Sequence, residues 1–290
     1  PLADRAAFDV ARAITCEENP RNRTVFRVRL THDVDRLRGY HHLFGPLRTA
    51  AGHVIKRKQP KLALTYLRES YISGEPFKSF SRIMDYSEKK GLASQFNFMG
   101  PTSVNWDSPY ALNDGPLLSK VIRSVSSRGH VVGFHPGYYT FNDMNEWKRQ
   151  KKGLEEIVGN KVKMGRQHVF RFSVEDTPNI WDHFGMIHDA TLAFPEASGY
   201  RPGTCRTFQA YSLKERRALN LKMGASAINE FGFFGGKYND FTIEQALAEC
   251  KETISHCRQY GGELIILFHT GWPEGSFLWD YYEQLLNEIA

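Results

Sequence analysis

The sequence lacks a long hydrophobic run. Its longest uninterrupted apolar stretch spans residues 264–268, whereas a membrane-spanning helix needs roughly 18 apolar residues. The chain also lacks an opening that passes from basic to apolar to small residues, which is the pattern of a secretory signal. We therefore expect a cytoplasmic protein without a membrane span. Because the chain begins with Pro1, an upstream segment that was removed stays an open alternative.

Cysteine is scarce, and its spacing excludes a disulfide scaffold. The four cysteines are Cys16, Cys205, Cys250 and Cys257, and none forms a C-x-x-C pair. The last two lie seven residues apart on a predicted helix, a rise of about 10.5 Å, which is too far for a disulfide. We interpret the cysteines as reduced and buried, as in a cytoplasmic protein.

The excess of positive charge is small. Lysine and arginine number 38 against 32 aspartates and glutamates, a net charge of +6. The basic clusters at 56–58 and 148–152 are short, and no zinc-finger or RNP motif accompanies them, so we expect no nucleic-acid partner. The charge suits an anionic glycan or a nucleotide-linked sugar equally well. No G-x-S-x-G elbow, P-loop or G-x-G-x-x-G motif occurs, which argues against a serine hydrolase or a nucleotide cradle.

Strand and helix patterns alternate along the chain. Strands are predicted over 24–30, 93–99, 131–134, 162–172 and 264–268, and helices over 80–90, 116–128, 145–158, 178–188 and 242–260. Residues 36–75 are predicted to be helical in part, with a loop around Gly45 and Pro46, and residues 191–241 to be irregular. Thr242 and Gln245 form a capping-box pattern at the start of the last helix. This alternation favours a parallel α/β fold, and we expect residues 1–290 to form one domain.

Residues that can carry chemistry stand where the predicted strands end, namely Asp33, Asp35, His135, Arg166, His168 and His269. In an α/β barrel, active residues gather at the C-terminal ends of the strands. This recurrence indicates one shared site and fits a metal-assisted hydrolase better than a Ser-His-Asp arrangement.

Asp33 and Asp35 are two residues apart, so on an extended chain both carboxylates point to the same side. One could ligate a divalent metal while the other acts as a base. The alternative is an Asx-type turn or a helix cap at a strand end. His32 has the opposite parity in the strand, so its side chain points to the other face. There we expect it to pack or to form hydrogen bonds.

Each of the remaining candidates also has a structural alternative. Arg166 and His168 share one face of a predicted strand, so Arg166 could orient a carboxylate and His168 could ligate a metal; a buried arginine–acid pair is the alternative. His135 follows an apolar strand and precedes a turn at Pro136 and Gly137, and His269 ends the most hydrophobic strand, where a titratable group is unexpected unless it has a task. A hydrogen-bonded structural histidine is the alternative for both.

The order of these motifs resembles the polysaccharide deacetylase family with its NodB-like homology domain. The matching segments are Thr-His-Asp-Val-Asp at 31–35, Gly-Phe-His-Pro-Gly-Tyr-Tyr-Thr at 133–140, Gly-Arg-Gln-His at 165–168 and Leu-Phe-His at 267–269. Segments 188–192 and 199–204 are similar to a further signature of a divergent branch found in surface-polysaccharide and O-antigen biosynthesis. The resemblance covers about residues 25–270.

The resemblance implies a distorted (β/α) barrel that removes acetyl groups from sugars with a divalent metal. Carried over by position, Asp33 matches the catalytic base and Asp35 the metal-binding acid. His135 matches the first histidine ligand, Arg166 the arginine that orients the base, and His269 the catalytic acid.

The chain departs from the family pattern at Tyr139. The family commonly has a second histidine ligand four residues after the first, and Tyr139 stands at that position. We expect His168 to complete the metal site instead, because its parity with Arg166 directs it to the same centre. An altered or empty site is the alternative, and it would fit a non-catalytic glycan-binding relative of the deacetylase barrel.

The sequence therefore predicts a metal-dependent carbohydrate deacetylase, with zinc as the expected ion. Its expected substrate is an acetylated saccharide or a nucleotide- or lipid-linked sugar of surface-polysaccharide biosynthesis. We expect Tyr139 and Arg201 to contact this substrate, and Trp106 and Trp272 could join Tyr139 in an aromatic sugar platform.

Overall fold

The structure, a computed structural model, describes residues 2–15, 25–37, 45–55, 60–68, 77–234, 238–272 and 274–289. Within these ranges the strands are β1 (Arg27–Val34), β2 (Ser94–Phe98), β3 (Val131–Phe134), β4 (Met164–Gly165), β5 (His188–Leu192), β6 (Phe208–Ser212), β7 (Arg217–Asn229) and β8 (Glu263–Leu267). The helices are α1 (Leu2–Thr15), α2 (Gly45–Ile55), α3 (Pro60–Arg68), α4 (Phe77–Lys89), α5 (Tyr110–Asn113), α6 (Gly115–Ser127), α7 (Met144–Val158), α8 (Thr177–His183), α9 (Glu230–Phe234), α10 (Ile243–Tyr260) and α11 (Leu278–Glu288). Short 3-10 turns, Thr140–Asn142 and His168–Phe170, follow β3 and β4.

Seven parallel strands close into a barrel. They neighbour one another in the order β5-β4-β3-β2-β1-β8-β7, and β7 pairs with β5 to complete the ring. Strand β6 lies outside the ring, antiparallel to β7. The ring is irregular, because β4 has only two residues and the β5–β7 and β7–β8 registers shift. The predicted distorted (β/α) barrel is thereby confirmed.

The apolar core lies between the barrel and its helices. Alternate residues of β1, Leu30 and Val34, point outward and are buried, as is Phe96 on β2. Phe80 of α4 stacks on Phe98 with ring centroids 6.2 Å apart. Since successive strand residues face opposite sides, the other set of positions lines the lumen of the barrel.

The lumen is polar. Arg166 follows β4, yet its Nη2 lies 2.6 Å from Thr31 Oγ1 on β1 and its Nε 3.0 Å from Ser226 Oγ on β7. Neither β1 nor β7 is a neighbour of β4 in the ring, so these bonds cross the interior of the barrel. The guanidinium is fully buried, and the hydrogen bonds offset its desolvation.

His32 faces outward, as its parity predicts. Its Nδ1 lies 2.7 Å from the carbonyl oxygen of Phe268 and its Nε2 lies 2.8 Å from Ser94 Oγ. Its ring packs against Phe96 and Tyr282. The expectation that His32 is structural and lies away from the site is confirmed.

The helix and strand predictions hold best for the strongly periodic segments. The helix predicted over 242–260 is α10 with a complete capping box, and the strand predicted over 131–134 is β3. Three expectations for residues 162–241 are wrong. Residues 191–241 include β6, the long strand β7 and α9; the strand predicted over 162–172 shrinks to β4; and α8 ends at His183, so that His188 begins β5.

The remaining predictions concern the cysteines, the basic cluster, the loop around Gly45 and the membrane span. Cys205, Cys250 and Cys257 are buried and free of disulfides, as expected, whereas Cys16 and the basic cluster 56–58 lie outside the described residues. Helix α2 begins at Gly45, so the predicted loop there is wrong. None of the described helices combines the length and the apolar character that a bilayer crossing requires.

Candidate metal and catalytic site

The predicted residues meet at one end of the barrel. Asp33 is the second-last residue of β1, and Asp35 follows that strand directly. His135 follows β3, Arg166 follows β4 and His269 lies two residues beyond β8. Because the strands are parallel, their carboxyl ends lie at the same edge, as the strand-end argument predicts.

Asp35, His135 and His168 form a cluster whose ligand-type atoms all lie within 4.8 Å of one another. Asp35 Oδ1 is 3.3 Å from His135 Nε2 and 3.9 Å from His168 Nε2. Asp35 Oδ1 and His135 Nε2 are buried without a hydrogen-bond partner. Buried polar atoms without partners are rare in folded proteins, so their convergence requires an explanation.

The second nitrogen of each imidazole is engaged by an acceptor. His135 Nδ1 lies 2.6 Å from the carbonyl oxygen of Arg166, and His168 Nδ1 lies 2.8 Å from Asp107 Oδ1. A carbonyl and an ionised carboxylate can only accept, so both Nδ1 atoms donate and both Nε2 atoms face the cluster. Histidines that bind metals are commonly oriented in this way, by an acceptor that holds the nitrogen not facing the metal.

Electrostatics favours a cation in the cluster. Burial alone would lower the pKa of His135, yet the charges of Asp33 and Asp35 raise it. Burial likewise opposes ionisation of Asp35, but His135, His269 and His168 hold the pKa of its carboxyl below the ordinary value. One carboxylate oxygen and two imidazole nitrogens are also the donor set of many zinc sites. The residues present therefore fit a divalent ion.

The local backbone explains how His135 and Arg166 come together. A Cβ at Gly165 would lie 1.9 Å from the carbonyl oxygen of Phe134, so only glycine allows β4 this close to β3. The Arg166 amide then donates to Phe134 at 3.1 Å. His168 does not extend β4, since it begins a 3-10 turn. Its placement comes from Asp107 and not from the strand parity that the sequence suggested.

Asp33 is held as an ionised carboxylate beside the cluster. Its Oδ1 accepts from Arg166 Nη1 at 2.8 Å and from Asn97 Nδ2 at 2.7 Å. Its Oδ2 lies 3.9 Å from His135 Nε2, toward the metal-type atoms. Burial acts to raise the pKa of Asp33, but Arg166, His135, His269 and Asn97 together outweigh it and the pKa is lowered. One oxygen is thus anchored while the other faces the cluster.

His269 also lies beside the cluster and is paired with Glu230. Its Nδ1 and its amide nitrogen lie 2.8 and 2.7 Å from Glu230 Oε1, and its Nε2 is 3.8 Å from Asp35 Oδ2. Burial would lower the pKa of His269, yet Glu230 and Asp35 raise it to about 9. An imidazole held in this way is a proton donor at neutral pH.

Sequence reasoning missed Asp107 and Glu230. Asp107 lies in an irregular segment before α5 and no periodicity marks it. Glu230 begins α9 directly after β7, inside the region expected to be irregular. The run of small and apolar residues at 225–228 was the signal that a strand ends just before Glu230.

The predicted substrate residues stand apart from this cluster. Tyr139 is 51% exposed and contributes no atom to the metal-type cluster. Arg201 lies at the surface, with its Nη1 3.4 Å from the carbonyl oxygen of Ala193 just beyond β5. Trp106 stacks on Tyr138, and Trp272 contacts Phe231, whose ring meets that of His269.

Comparisons with known proteins establish the fold. No model of a known protein family matches the sequence, and no curated protein is significantly similar to it. A candidate polysaccharide deacetylase from Mycobacterium smegmatis is 16% identical, with 93% of this chain and 86% of that chain covered and a TM-score of 0.55. The chain therefore has the barrel fold of the polysaccharide deacetylases.

Two further solved structures match more weakly. A family 4 carbohydrate esterase from Streptomyces lividans, in complex with acetate, is 11% identical over 73% of this chain and 81% of that chain, with a TM-score of 0.41. A CE4 family pseudoenzyme from Bacillus anthracis is 11% identical over 93% of this chain and 62% of that chain, with a TM-score of 0.46.

Proposed function

We propose that this chain is a metal-dependent carbohydrate deacetylase, a hydrolase that removes acetyl groups from a sugar. The observation that carries the proposal is the convergence of three units at one barrel end. These are the Asp35–His135–His168 cluster, the Asp33–Arg166 pair and the His269–Glu230 pair. A metal-binding cluster next to an anchored carboxylate and a protonated imidazole provides the groups that metal-assisted hydrolysis by acid–base catalysis needs.

Asp35, His135 and His168 would hold the ion, for which zinc is the best candidate from the donor set. When bound, a divalent ion supplies Lewis acidity that polarises the acetyl carbonyl. Asp107 and the Arg166 carbonyl group fix the two imidazoles, so the protein presents both Nε2 atoms already oriented.

The chain's own residues move the protons. Water adds to the acetyl carbonyl carbon, and Asp33 accepts the proton that this water loses. Arg166 and Asn97 hold Asp33 Oδ1, so the second oxygen stays aimed at the cluster. His269 then donates a proton to the departing nitrogen or oxygen as its bond to the acetyl carbon breaks. Acetate and a free amine or hydroxyl are the products.

The proposed substrate is an acetylated saccharide or a nucleotide- or lipid-linked sugar of surface-polysaccharide biosynthesis, such as that of an O-antigen. The motif order of the sequence supports this choice over a nucleic-acid partner, and the net charge of +6 is compatible with it. Tyr139 and Arg201 are proposed substrate contacts, and the cytoplasm is the proposed compartment. Residues 1–290 are proposed to act as one catalytic domain.

Acetate release from acetylated nucleotide sugars and short glycans tests the proposal. Asp33→Asn keeps the side-chain shape but loses the proton acceptor, so we expect turnover to fall about 10²–10⁴-fold with metal content retained. His269→Ala should behave in the same way, whereas Asp35→Asn should lose metal and activity together. The same Asp→Asn change at exposed Asp280 on α11 is the control.

The pH profile of kcat/KM should be bell-shaped, because one group must be ionised and the other protonated. A wild-type protein that binds these glycans and releases no acetate with any divalent metal supplied would contradict the proposal. The barrel would then be a glycan-binding relative of the deacetylases.

A further inference from the structure

Four aromatic side chains and one arginine form a surface feature beside the metal-type cluster. Trp106 stacks on Tyr138 with ring centroids 5.0 Å apart and planes 15° apart, and Tyr139 meets Tyr138 edge to face. The Arg171 guanidinium carbon lies 4.2 Å from the centroid of Tyr138 and 4.1 Å from that of Phe141. We call Trp106, Tyr138, Tyr139, Phe141 and Arg171 the aromatic platform.

The aromatic platform is tied directly to the cluster. The amide of Tyr138 donates to Asp107 Oδ1 at 2.8 Å, and the same oxygen accepts from His168 Nδ1. The amide of Arg171 donates to the carbonyl oxygen of His168 at 3.3 Å. A sugar unit on the platform would therefore lie next to a unit whose acetyl group is at the cluster.

The backbone that delivers Arg171 is strained. Val169 and Phe170 have φ of 55° and 54°, a left-handed conformation that is unusual for any residue with a side chain and a clear outlier for a β-branched one. Val169 is also 53% exposed, so burial of its side chain does not explain the turn. Such strain persists where the surrounding structure enforces it, and it is common at ligand sites.

Arg171 is held by rings and not by acids. Among the hydrogen bonds and ion pairs of the described residues, none involves its guanidinium, and no carboxylate neutralises it there. Contact with ring faces occupies the flat side of a guanidinium and leaves its N–H edge available. That edge is the part that binds a carboxylate or a phosphate with two parallel hydrogen bonds.

Trp106 completes the chemistry of a sugar site. It is 61% exposed although it is a large aromatic residue. Exposed aromatic faces pair with apolar surfaces, and the C–H face of a pyranose ring is such a surface. Tyr138 thus contacts both the ring of Trp106, which offers a stacking face, and the guanidinium of Arg171.

We propose that the aromatic platform is a subsite for an acidic saccharide, in which one sugar unit stacks on Trp106 and a carboxylate or phosphate group of the saccharide binds Arg171. This inference rests on the proposed deacetylase function in one respect only, namely that the saccharide bound here is next to the acetylated sugar. It narrows the substrate class to acidic glycans or phosphorylated sugars.

Binding of matched ligands to the whole protein tests the subsite. The carboxylate arm compares a hyaluronan hexasaccharide with its carboxyl-reduced form, in which each glucuronate becomes glucose. The phosphate arm compares N-acetylglucosamine 1-phosphate with N-acetylglucosamine. We expect the charged member of at least one arm to bind about tenfold or more tightly than its neutral partner. The arm that shows the preference identifies the source of the anion.

The variants assign this preference to residues. Arg171→Gln should bring the charged-to-neutral ratio close to one, and Arg171→Lys should keep part of it and guard against misfolding of the glutamine variant. Trp106→Ala should weaken binding of both members alike. Arg123→Gln, which removes an exposed charge from α6, should leave the ratio unchanged.

A ratio near one for the wild type in both arms overturns the subsite, as does a ratio that survives Arg171→Gln. Because binding needs no turnover, the two proposals fail separately. A preference without acetate release contradicts the deacetylase, whereas acetate release with a ratio near one contradicts the anionic subsite.

Discussion

His168 reaches the cluster from a turn, and its contact with Asp107 sets which of its nitrogens faces Asp35 and His135. The same division recurs at His269 with Glu230 and at Asp33 with Arg166. At the scale of single residues, each reactive group thus has a partner that sets its orientation or its proton affinity. These partners can be tested independently of the groups that they hold.

Replacing Asp107 with Asn should weaken metal binding. An amide accepts only as a neutral group and can present its NH2 to Nδ1 instead, so the imidazole loses its fixed orientation. We expect zinc affinity to fall about 10–100-fold, the usual effect of losing such an outer partner. His168→Ala should fall further because a ligand is lost. Competition with a chromophoric chelator measures both, and unchanged affinity in both variants would remove His168 from the site.

Replacing Glu230 with Gln should act on turnover and not on metal content. Glu230 contacts His269 and no atom of the metal-type cluster, so the ion should stay bound while the proton donor loses its negative partner. We expect kcat to drop at least about tenfold, within the range that acid catalysis supplies. Acetate release and metal content are measured on the same samples. A parallel loss of metal would show that Glu230 supports the whole barrel end.

The sequence predicted the residues that meet at this barrel end, but of their partners it predicted only Arg166. Asp33, Asp35, His135 and His269 were recognisable because each stands at or near the end of a predicted strand, which is a local pattern. Asp107 pairs with His168 across 61 residues of sequence. No local pattern reports such a pairing, because it depends on how two loops meet in three dimensions.

At the scale of elements, α10 was predictable from a local sequence pattern, whereas β7 was not. Helix α10 carries a strong periodic face and its cap in the sequence, whereas β7 is composed largely of small residues toward its end. Small residues are needed there, since a Cβ at Gly224 would lie 2.6 Å from Ile265 Cδ1 in the lumen. A strand whose inner face must stay small has low hydrophobicity, and for that reason the region was predicted to be irregular.

The cap of α10 gives an element-scale prediction. Thr242 Oγ1 accepts from the amide of Gln245, whose side chain accepts from the amide of Thr242. Thr242→Ala removes one of these bonds and should lower the free energy of unfolding by about 1 kcal/mol. Urea unfolding monitored by circular dichroism measures it. Ser255→Ala, an exposed mid-helix change on α10, should cause no comparable loss, and equal losses would show that the cap contributes nothing.

At the scale of the whole molecule, the barrel encloses layers of charge. The cluster and Asp33 lie at the carboxyl end, Arg166 spans the middle, and Glu263 lies at the other end between Arg29 and His188. Glu263 and Arg29 are 234 residues apart in sequence. The alternation of strands and helices predicts a barrel. The side-chain pairings inside it cannot be predicted in this way, because they depend on which distant strands become neighbours.

The layer at Glu263 predicts how stability depends on pH. Burial acts to raise the pKa of Glu263, but the His188 imidazole, with its Nε2 3.3 Å from Oε2, and the charge of Arg29 lower it to about 2 from an ordinary value of 4.5. A carboxyl whose pKa is depressed by folding stabilises the protein above its unfolded pKa. That contribution is lost as the pH falls from about 4.5 to about 2, with an upper limit of about 3 kcal/mol.

Glu263→Gln should remove this dependence. We expect the variant to be less stable than the wild type at pH 7, and the two free energies of unfolding to approach each other as the pH falls toward 2. Urea unfolding at pH 7, 4.5 and 3 measures the difference. Glu252→Gln on the exposed side of α10 should track the wild type throughout. If the Glu263→Gln curve instead runs parallel to that of the wild type, the charge layer at this end of the lumen does not stabilise the barrel.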